Sequence, residues 1–156
     1  MLDQLLPQRF DNAYRGHKLA LWLFGLLVLV KAAIALGSIF NGYEAASSAD
    51  GIPLDTFTPA GAQTVVTLFA LLGLLHLMLV LLCVLALVRY RAMIPLMFTV
   101  LLVEYLGRRL ILFVMPVATT GTPPGLFINL ALLAVMIGGL LLSLWNQENR
   151  KAATAR

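Results

Sequence analysis

Residues 56–88 read TFTPAGAQTVVTLFALLGLLHLMLVLLCVLALV, 33 successive positions without a formally charged side chain. Residues 110–147 form a second uncharged stretch, of 38 positions. A helix that crosses a membrane needs about 20 consecutive, mostly apolar residues. Each stretch therefore predicts one membrane-spanning helix together with part of a loop or of a neighbouring span.

The composition of the whole chain leads to the same class of protein. Of its 156 residues, 61% are hydrophobic and 12% are charged, whereas ordinary soluble domains contain about 25% charged residues. A soluble domain of this size leaves too much of its chain exposed to bury so much apolar surface. The composition therefore excludes a soluble enzyme, a disordered chain, a coiled coil and a disulfide scaffold, and it predicts an integral membrane protein.

The apolar pattern predicts an all-α membrane protein with four transmembrane helices in an antiparallel bundle. The transmembrane domain is expected over residues 18–146. Its spans are expected at about 19–40, 62–88, 93–117 and 126–145. The short basic segment 89–91 predicts a tight turn between the second and third spans.

Two of the predicted spans begin with similar sequences. Thr58-Pro59 and Thr122-Pro123 each combine a threonine that can cap a helix N-terminus with a proline suited to its first turn. The surrounding pattern repeats with an offset of 64 residues, between 56–61 and 120–125. Two alternative explanations fit this repeat: duplication of a helical hairpin, or independent convergence of two helices on the same capping sequence.

Basic residues are distributed unevenly around the spans. The segment before the first span has three, the turn at 89–91 has two and the segment 147–156 has three, whereas the loops 41–61 and 118–125 have none. The positive-inside rule then predicts that both termini are cytoplasmic. Because these charges flank apolar spans, nucleic acid is not an expected partner. Compact loops and the absence of N-glycosylation sequons are compatible with a bacterial inner membrane.

The segment 1–17 is predicted to be a cytoplasmic amphipathic tail. Its apolar residues recur at steps of three and four positions opposite polar ones. We expect part of this tail to lie as a short helix on the inner leaflet, and we expect residues 147–156 to form a second cytoplasmic tail.

Ionisable residues inside the predicted spans are the candidate ligand or ion-pair residues, because a charge in hydrocarbon is costly and usually faces a partner or a cavity. They are Lys31, His76, Glu104, Arg108 and Arg109. At 1.5 Å per residue, His76 and Glu104 are expected at similar depth, near the bilayer midplane. Glu104 and Arg108 are four residues apart on one helix face, so we expect them to form an ion pair.

In this interpretation Glu104 cancels one embedded positive charge, and about two remain to be neutralised. The side chains of Lys31, Arg108 and Arg109 can extend to the interface. Alternatively, the outer loop 41–61, which has three carboxylates and no basic residue, folds over the bundle. A third alternative is an anionic head group, a quinone oxygen or a substrate carboxylate bound near the positive helix N-termini.

The remaining polar residues of the spans favour packing over chemistry. We interpret His76 as a hydrogen-bonded packing residue, and we expect Asn129 to bond across to another span. His17, the other histidine, is expected near the inner surface, so a haem held by both histidines is not predicted. Cys83 is the single cysteine and allows no intramolecular disulfide. No cofactor, metal site or catalytic residue is predicted.

Three functions are compatible with these features. The favoured one is a non-enzymatic accessory, assembly or lipid-interacting membrane component. The second is a small oligomeric transporter or permease that uses Lys31, Glu104, Arg108 and Arg109. The third is a membrane enzyme acting on a lipophilic substrate. The expected partner is the lipid bilayer, and a protein partner or a homo-oligomer is left open.

Overall fold

The computed structural model describes residues 12, 14 and 16–145, and none of these residues lies in a β-strand. Four long helices follow one another in this part of the chain. They are α1 (Lys18–Phe40), α2 (Pro59–Val88), α3 (Ile94–Val114) and α4 (Pro124–Leu144). The all-helical prediction is confirmed. The amphipathic helix predicted within 1–17 lies almost entirely outside the described residues, and the tail 147–156 lies wholly outside them.

Short helical turns fill the connections between the long helices. The loop between α1 and α2 contains turns at Gly42–Glu44, Ala45–Ala49 and Leu54–Thr56. The connection between α2 and α3 is a short segment with one turn at Arg91–Met93.

The two threonine-proline sequences begin their helices differently. The Thr58 hydroxyl accepts a hydrogen bond from the Gly61 amide at 3.2 Å, so the predicted cap of α2 is confirmed. The predicted start of α4 is wrong by one residue, because the cap position is Pro123 and the helix begins at Pro124. A residue that precedes a proline is driven out of the helical region. Pro124 therefore holds Pro123 extended, at ψ 135°, and itself takes the first helical position.

Three of the long helices, α1, α2 and α4, are long and apolar enough to cross a membrane. The fourth, α3, is similar in length but contains Glu104 at its centre and Arg108 and Arg109 in its C-terminal half. Large apolar side chains remain exposed along the outer faces of the helices, including Trp22, Leu75 and Val103. A soluble monomer rarely exposes contiguous apolar surface on this scale.

The interior of the protein is built from close helix contacts. α1 packs against α2 and α4, and α3 packs against α4. Phe24 of α1 and Phe98 of α3 meet edge to face, with ring centroids 5.0 Å apart. Gly139 of α4 lies against the Phe98 ring so closely that a Cβ there would overlap it. Gly73 of α2 likewise places its backbone against α1, where a Cβ would come within 2.9 Å of the Ala35 carbonyl oxygen.

The two loops at the start of α2 and α4 contact each other. The Thr120 amide donates a hydrogen bond to the Gly51 carbonyl at 2.8 Å. Gly51 adopts a φ of 71°, a left-handed conformation that glycine adopts without a steric penalty. The backbone at Gly125 also lies close to Ala49 and to the carboxylate of Asp50. The first loop therefore covers the N-terminus of α4.

Candidate functional site

Three of the five candidate residues come together from three different helices. The Lys31 ammonium on α1 donates a hydrogen bond to Glu104 Oε2 on α3 at 2.9 Å. His76 Nε2 on α2 lies 3.0 Å from the other carboxylate oxygen, Glu104 Oε1. We call Lys31, His76 and Glu104 the interior triad. Both oxygens of one carboxylate thus connect α3 to α1 and to α2.

The interior triad is largely enclosed by the protein. The Lys31 side chain is 8% exposed, and the side chains of His76 and Glu104 are each 24% exposed. An unpaired charge so placed would be costly, whereas a paired and hydrogen-bonded one is tolerated. The pairing explains how three polar side chains are accommodated among apolar helices.

The imidazole of His76 makes two polar contacts through its two ring nitrogens. Nδ1 is 2.9 Å from the Leu72 carbonyl oxygen on the same helix, and Nε2 is 3.0 Å from Glu104 Oε1 on α3. These two contacts fix the orientation of the ring, with Nε2 towards the carboxylate.

The ion pair expected between Glu104 and Arg108 is wrong. Glu104 turns both oxygens to Lys31 and His76, while Arg108 Nη2 donates a hydrogen bond to Asn129 Oδ1 of α4 at 3.3 Å. The four-residue spacing permits the intrahelical pair, but side chains from two neighbouring helices already contact both oxygens of the carboxylate. The expectation that Asn129 bonds across to another helix is confirmed by the same contact.

Arg108 and Arg109 form a second group, which we call the arginine pair. Arg109 Nε donates a hydrogen bond to the Tyr105 hydroxyl at 3.2 Å. Both guanidinium carbons lie near the Tyr105 ring, at 5.9 Å for Arg108 and 5.8 Å for Arg109. Tyr105 is buried, and its ring is within the range of a cation–π interaction for both cations. Neutral groups therefore orient both arginine side chains.

The carboxylates of the first loop interact mainly within that loop. Glu44 accepts a hydrogen bond from the Ser48 hydroxyl at 2.7 Å, and Asp55 accepts one from the Tyr43 hydroxyl at 2.6 Å. The bond to Asp55 raises the pKa of Tyr43. Desolvation raises the pKa of Asp50, and the positive charge of Arg108 acts in the opposite direction. Asp50 is therefore a loop carboxylate that interacts electrostatically with Arg108.

Two features of the site were missed by sequence reasoning. The contact between His76 and Glu104 follows from the equal depths that spacing assigns to them, yet the sequence does not show that their helix faces meet. The role of Tyr105 as the common neighbour of both arginines was also missed, although Tyr105 and Arg109 share a helix face at four-residue spacing. Within residues 12, 14 and 16–145 no group of three His, Cys, Asp or Glu side chains is placed to hold a metal ion, and Cys83 is buried.

No protein-family model, curated protein or solved structure matches the chain. The class of protein is therefore inferred from the chain itself. The chain has three helices able to cross a membrane and a polar triad enclosed among apolar helices. These features define a helical membrane protein.

Proposed function

We propose that the chain is a non-enzymatic membrane component, of the accessory, assembly or lipid-interacting kind, whose interior triad holds three helices together. One observation carries this proposal. Both oxygens of Glu104 are engaged by side chains of other helices, so the carboxylate serves helix association rather than a ligand. Interhelical polar contacts are a principal means of stabilising helix packing in a membrane, where apolar side chains gain little by leaving lipid.

The proposal includes α3 as a fourth span in an antiparallel bundle. Its interior charge at Glu104 is paired, and its Tyr105 is buried; both lower the cost of placing α3 in lipid. Arg109 lies five residues before the end of α3 at Val114, which is about 7.5 Å at 1.5 Å per residue. The short connection between α2 and α3 favours antiparallel neighbours.

The proposed orientation places both termini and the 89–93 connection in the cytoplasm of a bacterial cell. The eight basic residues that flank the spans support this orientation, since the loops 41–61 and 118–125 contain none. The loop that includes Ala118 then faces the periplasm, and the connection that includes Ala92 faces the cytoplasm.

Cysteine labelling tests this arrangement. In a Cys83→Ser background, single cysteines replace Ala118 in one variant and Ala92 in the other. A membrane-impermeant maleimide added to intact cells is expected to label Ala118→Cys and to leave Ala92→Cys unlabelled until the cells are opened. Resistance of both variants to alkaline extraction checks integration into the membrane. Labelling of Ala92→Cys in intact cells, or release of the protein by alkali, would refute the proposed topology.

A proton-coupled transporter is the second candidate, and the 3.0 Å contact between His76 Nε2 and Glu104 Oε1 is the observation that favours it. A group that holds a proton between two side chains can exchange it during a transport cycle. Proteoliposomes with an enclosed pH-sensitive dye separate the candidates. The favoured proposal expects equal proton flux for the wild type and for Glu104→Gln, whereas a flux that Glu104→Gln abolishes would establish the transporter.

A further inference from the structure

The arginine pair consists of two guanidinium groups whose hydrogen-bond partners, among the described residues, are neutral. Asn129 and Tyr105 each accept one hydrogen bond from it. A guanidinium has five N–H donors in a planar fork that matches the oxygens of a carboxylate or a phosphate. Most of the donors of Arg108 and Arg109 therefore remain available, while Asn129 and Tyr105 limit where the guanidinium groups point.

Within residues 12, 14 and 16–145, no anionic side chain contacts the arginine pair directly. Among the described residues, the ion pairs within 4.0 Å are those of Lys31 and His76 with Glu104. Asp50 interacts with Arg108 only through its charge, and no hydrogen bond joins them. Arg108 and Arg109 therefore keep the hydrogen-bonding capacity to bind a further anion.

We infer that Arg108 and Arg109 bind a phosphate group. The fork of each guanidinium suits two oxygens of an anion. A phosphate has four oxygen atoms and a carboxylate has two, so a phosphate can be shared more readily by two adjacent arginines. The phosphate is supplied either by a phospholipid head group or as free phosphate. This inference rests on the proposed function in one respect, because α3 must cross the membrane for the arginine pair to reach head groups.

Lipid titration of the full chain tests the inference. The protein is purified in a maltoside detergent, and phosphatidylglycerol binding is followed by native mass spectrometry. Arg108→Gln/Arg109→Gln is expected to weaken the first lipid-binding event about tenfold, because charge-assisted hydrogen bonds are lost. The matched control Arg89→Gln/Arg91→Gln removes the same charge at the opposite end of the helices and is expected to change the affinity less than about threefold.

A second arm identifies the source of the phosphate. Inorganic phosphate is titrated into phosphate-free buffer while the melting temperature is followed. A melting temperature that rises in the wild type but not in the Gln double variant assigns the site to free phosphate; a defect confined to phosphatidylglycerol assigns it to a head group. The variant Arg108→Lys/Arg109→Lys keeps both positive charges but lacks the planar fork. Its affinity for the phosphate group is expected to lie between that of the wild type and that of the Gln double variant.

Two results would overturn the inference. One is equal binding of both probes by the wild type and the Gln double variant. The other is an equal loss in the control at Arg89 and Arg91, since net charge alone would then account for binding. If the Gln double variant does not fold, the Lys double variant decides, and wild-type affinity in it refutes a bidentate site. Membrane topology is measured separately by the labelling of Ala118→Cys and Ala92→Cys, so failure of the proposed function is recognised independently.

Discussion

Replacing Glu104 by glutamine is expected to lower the free energy of unfolding by about 3–5 kcal/mol, the usual cost of removing one partner from a buried ion pair. The variant keeps the shape of the side chain but leaves the Lys31 ammonium without a carboxylate at a site where its side chain is 8% exposed. It also removes the charged partner of His76. The loss is measured by unfolding the purified protein in mixed micelles of a mild detergent and dodecyl sulfate.

The matched control for this prediction is Glu44→Gln. Glu44 is an exposed carboxylate in the first loop and accepts a hydrogen bond from the Ser48 hydroxyl. Exposed positions of this kind usually change stability by no more than about 0.5 kcal/mol. If Glu104→Gln proves as stable as Glu44→Gln, the interior triad does not hold the helices together.

Replacing Gly139 by alanine is expected to destabilise the protein by about 1–3 kcal/mol, the typical cost of overpacking a close contact. The added Cβ would overlap the ring of Phe98. That ring is fully buried and already packs edge to face against Phe24, so α4 must move away from α3. Thermal unfolding in detergent, followed by helical circular dichroism, measures the effect.

The neighbouring glycine provides the control for this variant. Gly138 lies on the same helix, but a Cβ there meets no atom within 4 Å. Gly138→Ala is expected to be neutral or to stabilise the helix by up to about 1 kcal/mol, since alanine favours helix over glycine. Equal melting temperatures for the two variants would contradict the close packing of α4 against Phe98.

The positions of the helices can be predicted from the sequence, because the length of an uncharged stretch and the capping residues at its ends are local properties of the chain. Thr58-Pro59 shows this, since its cap and helix start were predicted and confirmed. The start of α4 is also set locally: Pro123 is itself followed by a proline, which disfavours the helical conformation at Pro123. The threonine-proline pattern shared with α2 does not include this second proline, so it predicts a start one residue too early.

Contacts between helices were harder to predict because they depend on how each helix is rotated about its axis. Spacing places Glu104 at the depth of His76 and also four residues from Arg108, and both neighbours are reasonable partners. Only the packed structure shows that the carboxylate faces Lys31 and His76. The contact between Gly51 and Thr120 is likewise inaccessible to sequence patterns, because these residues lie in different loops far apart in the chain.

A double-mutant cycle between Lys31 and Glu104 tests the central claim, that their ion pair holds α1 and α3 together. The cycle compares Lys31→Met, Glu104→Gln and the double variant by unfolding in mixed micelles. The double variant is expected to be more stable than Glu104→Gln alone, because it no longer contains an unpaired buried ammonium. We predict a coupling free energy of about 1–3 kcal/mol, within the range for residues in direct contact. Effects that add to within about 0.5 kcal/mol would contradict the claim, since independent sites behave in that way.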